Sequence, residues 1–127
     1  MQVLCHHIYE YQKGLRHLVL HTMKGVDREA AEKKLSKYNV DYVIQELPRN
    51  NFNVFFGKKE CVDVVRSFGN IPLNKLTCEQ DFMLGIMLGY DRLAQCSRFL
   101  KRSEKLQNDK SFVRLDSKNG QPLTEVA

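Results

Sequence analysis

A chain of 127 residues with 43% hydrophobic and 28% charged residues has the composition of a globular domain, which excludes a largely disordered protein. The 20 Lys and Arg residues outnumber the 15 Asp and Glu residues, so the formal charge of +5 favours acidic partners, although a small domain also uses such a charge to stay soluble. No apolar run reaches the roughly 18 residues of a membrane span and no secretion signal opens the chain, so we expect a cytoplasmic protein that does not enter a membrane.

The first segment fits two alternatives. Leu4, Ile8 and Tyr11 recur at helical spacing and predict a helix over residues 2–12. The alternation of side chains over residues 3–11 suits a strand equally well.

The next two segments read more clearly. Side chains alternate over residues 16–23, after Gly14, which predicts a strand. Asp27 then stands where an N-cap is expected, and Asn39 follows the last residue of the helical pattern. The sequence therefore predicts a strand followed by a helix.

Two β-rich runs follow, at residues 41–47 and 51–56. The short polar connection Pro48-Arg49-Asn50 predicts that they form an antiparallel hairpin. The second run breaks at Gly57 into a helix that Gly69 ends.

The last helix is predicted to be the longest. Thr77 and Gln80 form the pattern of a capping box, and the helical pattern continues to about residue 106. Gly85 and Gly89, four residues apart, leave backbone exposed for close approach by the rest of the chain or by a second copy. Residues 107–127 form a polar tail, in which we expect one short strand at 112–115 and then disorder.

These elements predict an α+β fold in which a small antiparallel sheet packs against helices, in the order α-β-α-β-β-α-α with a long C-terminal helix. Residues 1–106 are expected to form a single domain.

Histidines are the densest candidate residues for chemistry. In the predicted strand, His17 and His21 share a face with their Cα atoms about 13 Å apart, which is too far for both to ligate one metal. His6 and His7 are adjacent and diverge, so we expect no metal site and no cofactor. The ligand- or partner-binding residues that we would test first are His7, Tyr11, His17 and His21.

A second candidate lies at Gly57-Lys58-Lys59, where a strand meets a helix N-terminus. Cations are disfavoured there unless an anion joins them, which indicates a phosphate or carboxylate site. The alternative is a pair of solvated lysines offset by Glu60 and Asp63.

A third candidate is an open sheet face that shows His17, Val19, His21 and Phe55, with Tyr42 or Val43. Aromatic residues among basic ones resemble an RNA-stacking platform, but no ribonucleoprotein consensus is present and such a face is more often covered. We therefore do not expect nucleic acid binding.

The sequence contains few signs of catalysis or of a cysteine site. G-x-S-x-G and H-E-x-x-H are absent, and the four cysteines form no C-x-x-C pair. The sequence favours a protein that is not an enzyme.

The strings CHHIYEY (5–11), GLR (14–16), LVLHT (18–22) and LGYDR (88–92), with Gln95-Cys96, resemble a small bacterial family described only as a domain of unknown function. The similarity spans about residues 2–105. The resemblance implies a single-domain α+β protein without an established activity, encoded beside or joined to flavodoxins. Flavodoxins are acidic and this chain is basic, so their charges would be complementary.

Two functional hypotheses follow. In the first, the chain is a homodimeric binding or regulatory module. Its basic surface, with Lys58 and Lys59, meets an acidic protein such as a flavodoxin, and the module has an accessory role in flavodoxin-linked electron transfer. In the alternative, it is a small enzyme or sensor that binds a phosphorylated or nucleotide ligand at Gly57-Lys58-Lys59.

Overall fold

The computed structural model describes residues 1–109. In this part of the chain, five α-helices surround a three-stranded antiparallel sheet, which confirms the α+β prediction. In chain order the elements are α1 (Gln2–Gln12), β1 (Leu18–Lys24), α2 (Arg28–Lys37), β2 (Asp41–Leu47), β3 (Asn51–Gly57), α3 (Lys59–Ser67), α4 (Cys78–Met87) and α5 (Arg92–Asp109).

The sheet has β3 at its centre and β1 and β2 at its edges. Phe55 of β3 pairs with Leu20 of β1 and with Val43 of β2. The predicted hairpin between β2 and β3 is thus confirmed. Its turn places Arg49 and Asn50 in the left-handed region, at φ 62° and 56°.

Helices cover both faces of the sheet and create two hydrophobic cores. The core under α1 and α2 contains Leu4, Ile8, Val19, Met23, Ala31, Leu35, Val40, Phe52, Val54 and Phe56. The core under α3 and α4 contains Leu18, Phe55, Val62, Val65, Phe68, Leu76, Leu84 and Leu88. The molecule is therefore three layers thick, with the sheet in the middle.

This arrangement corrects the idea of an open sheet face. Val19 and Phe55 are 0% and 2% exposed. Val19 of β1 pairs with Phe56, the residue that follows Phe55 on β3. Successive side chains of a strand point to opposite faces, so Val19 and Phe55 lie in different cores. A nucleic acid base could therefore contact neither Phe55 nor Val19 unless a covering helix were displaced.

The helical alternative for the first segment is confirmed. Residues 2–12 form α1, and Leu4 and Ile8, one helical turn apart on it, are buried against the sheet. Gly14 ends this segment in the left-handed conformation at φ 80°, and the Leu15 amide donates to the Glu10 carbonyl at 3.0 Å.

The prediction of one continuous helix from residue 77 to about 106 is wrong, because the chain breaks at Gly89. This glycine has φ 85°, and the Asp91 carboxylate then accepts a bond from the Ala94 amide at 2.8 Å, which starts α5. The capping box of Thr77 and Gln80 at the start of α4 is confirmed.

The break lets α5 fold back on α4. Asp81 of α4 accepts bonds from Arg98, at 2.7 Å, and from Arg102, at 3.1 Å. Gly85 permits the Gln95 side chain to approach the backbone of α4, so this glycine serves a contact within the chain.

A row of polar side chains crosses the sheet under α3 and α4. The Thr22 hydroxyl donates to Asn53 at 2.6 Å, the Asn53 amide donates to Gln45 at 2.9 Å, and the Gln45 amide donates to the Ile71 carbonyl at 2.8 Å. Asn53 is 4% exposed, and these bonds satisfy its amide in the core.

The predicted strand at 112–115 and the predicted disordered tail lie outside the described residues. Among residues 1–109, no helix combines the length and the apolar character needed to cross a membrane.

Candidate functional site

The histidine-rich segment contributes two imidazoles to one cluster, one from α1 and one from β1. The rings of His7 and His21 meet edge to face, with centroids 5.1 Å apart and planes inclined by 62°. They meet because α1 packs on the sheet face that His21 shares with Val19 and Met23.

Glu10 and Arg16 complete this histidine cluster. The His7 Nδ1 atom lies 3.4 Å from the Glu10 carboxylate and 3.3 Å from the Arg16 guanidinium. The Glu10 carboxylate also lies 3.6 Å from His6, one turn away on α1. Neither Glu10 nor Arg16 was among the sequence candidates. An acid three residues after His7 on a helix does, however, predict a contact between the two side chains.

Two ionisable groups of the cluster have shifted pKa values. The hydrogen bond from His7 lowers the pKa of Glu10, and the charges of His6 and Arg16 add to this effect. Burial lowers the pKa of His21, and the nearby His7 lowers it further. The cluster therefore holds its carboxylate ionised and disfavours a charged His21.

The other sequence candidates lie elsewhere. Tyr11 is half-buried against Phe56, with ring centroids 6.5 Å apart, and burial raises its pKa. His17 is exposed before β1, and its carbonyl accepts a bond from the Lys58 amide at 2.9 Å. Phe55 lies in the core under α3 and α4.

Lys58 and Lys59 stand at the start of α3, as the sequence predicted, and both side chains are exposed. Lys59 donates to Asp63 at 2.7 Å, and Asp63 also accepts from Arg66 at 2.8 Å. Glu60 lies in the same first turn. Acidic side chains thus offset much of the positive charge here.

A second basic surface lies on α2, where sequence reasoning had not placed it. Lys33, Lys34 and Lys37 line a groove of about 420 Å³ between α2 and the start of α1. We call this the lysine groove; its remaining lining residues are Met1, Cys5 and Ala30. The signal was present in the sequence, since lysines at i and i+4 share a helix face.

The described residues contain no group of three or more His, Cys, Asp or Glu side chains arranged to hold a metal ion. His7 and His21 meet as a pair, and Arg16 rather than a further ligand stands beside them. Most metal sites in proteins need three or four protein ligands.

The fold and these surfaces define a three-layer α+β protein with polar clusters on the helices that cover one sheet face. A family model described as "Protein of unknown function (DUF2023)" matches residues 2–102. The chain belongs to this family, which confirms the unknown-function family inferred from the sequence. No curated protein matches the chain.

Proposed function

We propose that this protein is a cytoplasmic binding module, not an enzyme, whose lysine groove docks an acidic protein. The resemblance noted in the sequence makes a flavodoxin the partner to test, in an accessory role in electron transfer. The observation that carries the proposal is the group of three lysines on α2 beside an apolar groove floor.

The lysine groove keeps a net positive charge, although Glu29 stands one turn before Lys33 on α2. Within the described part of the chain, Lys33, Lys34 and Lys37 form no ion pair. Glu32, on the same helix, is bound by Arg28 at 3.1 Å and by the Tyr42 hydroxyl at 2.6 Å. Three ammonium groups on one face therefore attract an acidic surface and accelerate its encounter.

The floor of the groove adds a second kind of contact. Met1, Cys5 and Ala30 are exposed, and each presents small or flexible apolar surface between the lysines. A protein partner with an apolar side chain surrounded by carboxylates matches this surface, since interfaces combine an apolar centre with a charged rim.

The experiment is a calorimetric titration of the protein with a flavodoxin at low and at raised salt. The variant Lys33→Glu/Lys34→Glu/Lys37→Glu should bind at least about tenfold more weakly, because each rim charge contributes roughly 0.5–1 kcal/mol. Raised salt should weaken binding of the unmodified protein.

The matched control is Lys75→Glu/Lys101→Glu/Lys105→Glu, which changes the net charge equally but lies on the α4–α5 side of the sheet. Binding by this control should change by less than about threefold, because exposed charges beyond a Debye length are screened. Equal weakening in both variants would show that net charge alone is responsible. Absence of salt-dependent binding would exclude the flavodoxin.

The alternative function, binding of a phosphorylated or nucleotide ligand at Gly57-Lys58-Lys59, stays a prediction. Its support is the exposed start of α3, and the bond from Lys59 to Asp63 weighs against it.

A further inference from the structure

A cleft of about 460 Å³ lies between β2 and residues 68–76, the segment that links α3 to α4. We call it the β2 cleft. Its volume falls within the range of small-molecule sites in proteins, which is roughly 300–1,000 Å³. The lining is mostly apolar and includes Val43, Phe55, Val65, Phe68, Ile71 and Leu84.

A glutamine places a hydrogen-bond donor among these apolar side chains. The Gln45 amide nitrogen donates to the Ile71 carbonyl at 2.8 Å, and the amide oxygen accepts from Asn53 at 2.9 Å. A glutamine amide has two N–H groups, and its bonds to the described residues use one of them. The second N–H is therefore available to a molecule in the cleft, while Asn53 and Ile71 hold the amide in position. Asn70, the other uncharged polar side chain of the lining, is exposed.

The charged side chains at the cleft are paired with each other or with their neighbours. The charged lining residues are Arg28, Glu46 and Arg66. Arg28 binds Glu46 and, at 3.1 Å, Glu32. Arg66 binds Asp63 at 2.8 Å, and Lys59 binds the same carboxylate at 2.7 Å. Three cations and three carboxylates thus balance, so the cleft offers an ionic ligand no uncompensated charge.

We propose that the β2 cleft binds an uncharged aromatic molecule that carries a carbonyl group. The carbonyl accepts a hydrogen bond from Gln45, and the ring packs on the apolar walls beside Phe68, since aromatic rings bury a large apolar area and attract one another. An ionic ligand would lose its hydration on these walls without meeting an unpaired partner. Two fused rings with one carbonyl group, about 13 non-hydrogen atoms, fit within a cleft of this volume.

This site goes beyond the acidic-partner proposal and does not depend on it. The β2 cleft and the lysine groove share no lining residue. The lysine groove lies between α1 and α2, whereas most of the cleft is lined from the side of the sheet under α3 and α4. Occupation of one site therefore does not require the other.

An NMR titration with 2-acetonaphthone, an uncharged aromatic ketone, tests the proposal. The full chain, labelled with ¹⁵N, should bind with half-saturation below about 1 mM, as expected for a ligand of this size. The shifts should be largest at the Gln45 side-chain amide and at the backbone amides of Val43 and Ile71. The matched ligand is 2-naphthoate, which has the same rings but a carboxylate. It should bind at least about tenfold more weakly, because its charge would be buried without a partner.

Filling the cleft tests the site from the side of the protein. Ile71→Trp adds a large side chain at a half-buried lining position and keeps the backbone carbonyl that Gln45 binds. It should weaken binding of 2-acetonaphthone at least about tenfold, because the indole occupies the space of the ligand. Leu15→Trp is the matched control, since Leu15 is 69% exposed and lies outside the cleft. The control should change the affinity less than about twofold, and a dispersed amide spectrum shows that each variant is folded.

Failure to bind 2-acetonaphthone would overturn the proposal, as would equally tight binding of 2-naphthoate or unchanged binding by folded Ile71→Trp. Shifts centred on Phe99 and Leu100 would overturn it too, because the ligand would then occupy a groove between α4 and α5. If Ile71→Trp does not fold, the two ligands and the position of the shifts decide the question. Lys33→Glu/Lys34→Glu/Lys37→Glu should bind 2-acetonaphthone like the unmodified protein, so failure of this proposal and failure of the acidic-partner proposal are distinguishable.

Discussion

Gly57 shows how a single residue determines the junction between β3 and α3. It takes φ 149°, and a side chain there would collide with the His17 carbonyl, which faces the glycine across the sheet edge. The Lys58 amide bonds to the same carbonyl at 2.9 Å. The close approach of β1 to the start of α3 therefore requires glycine at this position.

Gly57→Ala should lower the free energy of unfolding by about 3 kcal/mol or more, because both backbone strain and a clash with backbone oppose the new methyl group. Gly14→Ala is the comparison, since Gly14 also has a positive φ, of 80°, but nothing lies within 4 Å of the added carbon. It should cost only about 1 kcal/mol. Urea unfolding measures both, and equal losses would contradict the steric explanation.

At the scale of elements, the contact between α1 and β1 is sensitive to acid through His21. Burial and His7 lower the pKa of His21 below its usual 6.5, so the unfolded chain takes up a proton at a higher pH than the folded chain does. The stabilisation is complete above pH 6.5 and is lost as the pH falls from there through the lowered pKa.

We therefore expect the Tm to fall between about pH 7 and pH 5, and to fall less steeply in His21→Gln. His17→Gln, which removes an exposed imidazole, is the control and should keep the slope of the unmodified protein. Calorimetric scans at several pH values measure this. The carboxylates of Glu10 and Asp81, which are also paired, have pKa values lowered from the ordinary 4.5 and 3.8. The stability that these two carboxylates contribute to the fold is therefore lost mainly below this pH range.

At the scale of the whole molecule, the layered fold brings some but not all of the four histidines together, which determines how much metal the protein should bind. His7 and His21 meet, whereas His17 is exposed outside the cluster. A structural site with three or four ligands retains its metal through purification, and two histidines in contact do not make such a site. Protein purified without a histidine tag should therefore carry less than about a tenth of an equivalent of zinc, iron, nickel or copper. Elemental analysis measures it, and a stoichiometric metal lost in both His7→Ala and His21→Ala would contradict this expectation.

Local patterns in the sequence determined most of the elements. The Thr77–Gln80 capping box, the β2–β3 hairpin and the glycine stops after α1 and α3 depend on neighbours within a few residues, so the sequence alone predicts them. The family assignment likewise needs only the order of residues.

Only the tertiary structure decided which surfaces exist. Whether residues 2–12 form a helix or a strand depended on burying Leu4 and Ile8 against a sheet assembled from distant segments. The turn at Gly89, the meeting of His7 with His21 and the exposure of Leu93 and Leu100 on α5 likewise depend on where elements pack. Hydrophobic periodicity is the same for a stripe that faces the core and for one that faces solvent or a second copy, so it cannot distinguish them.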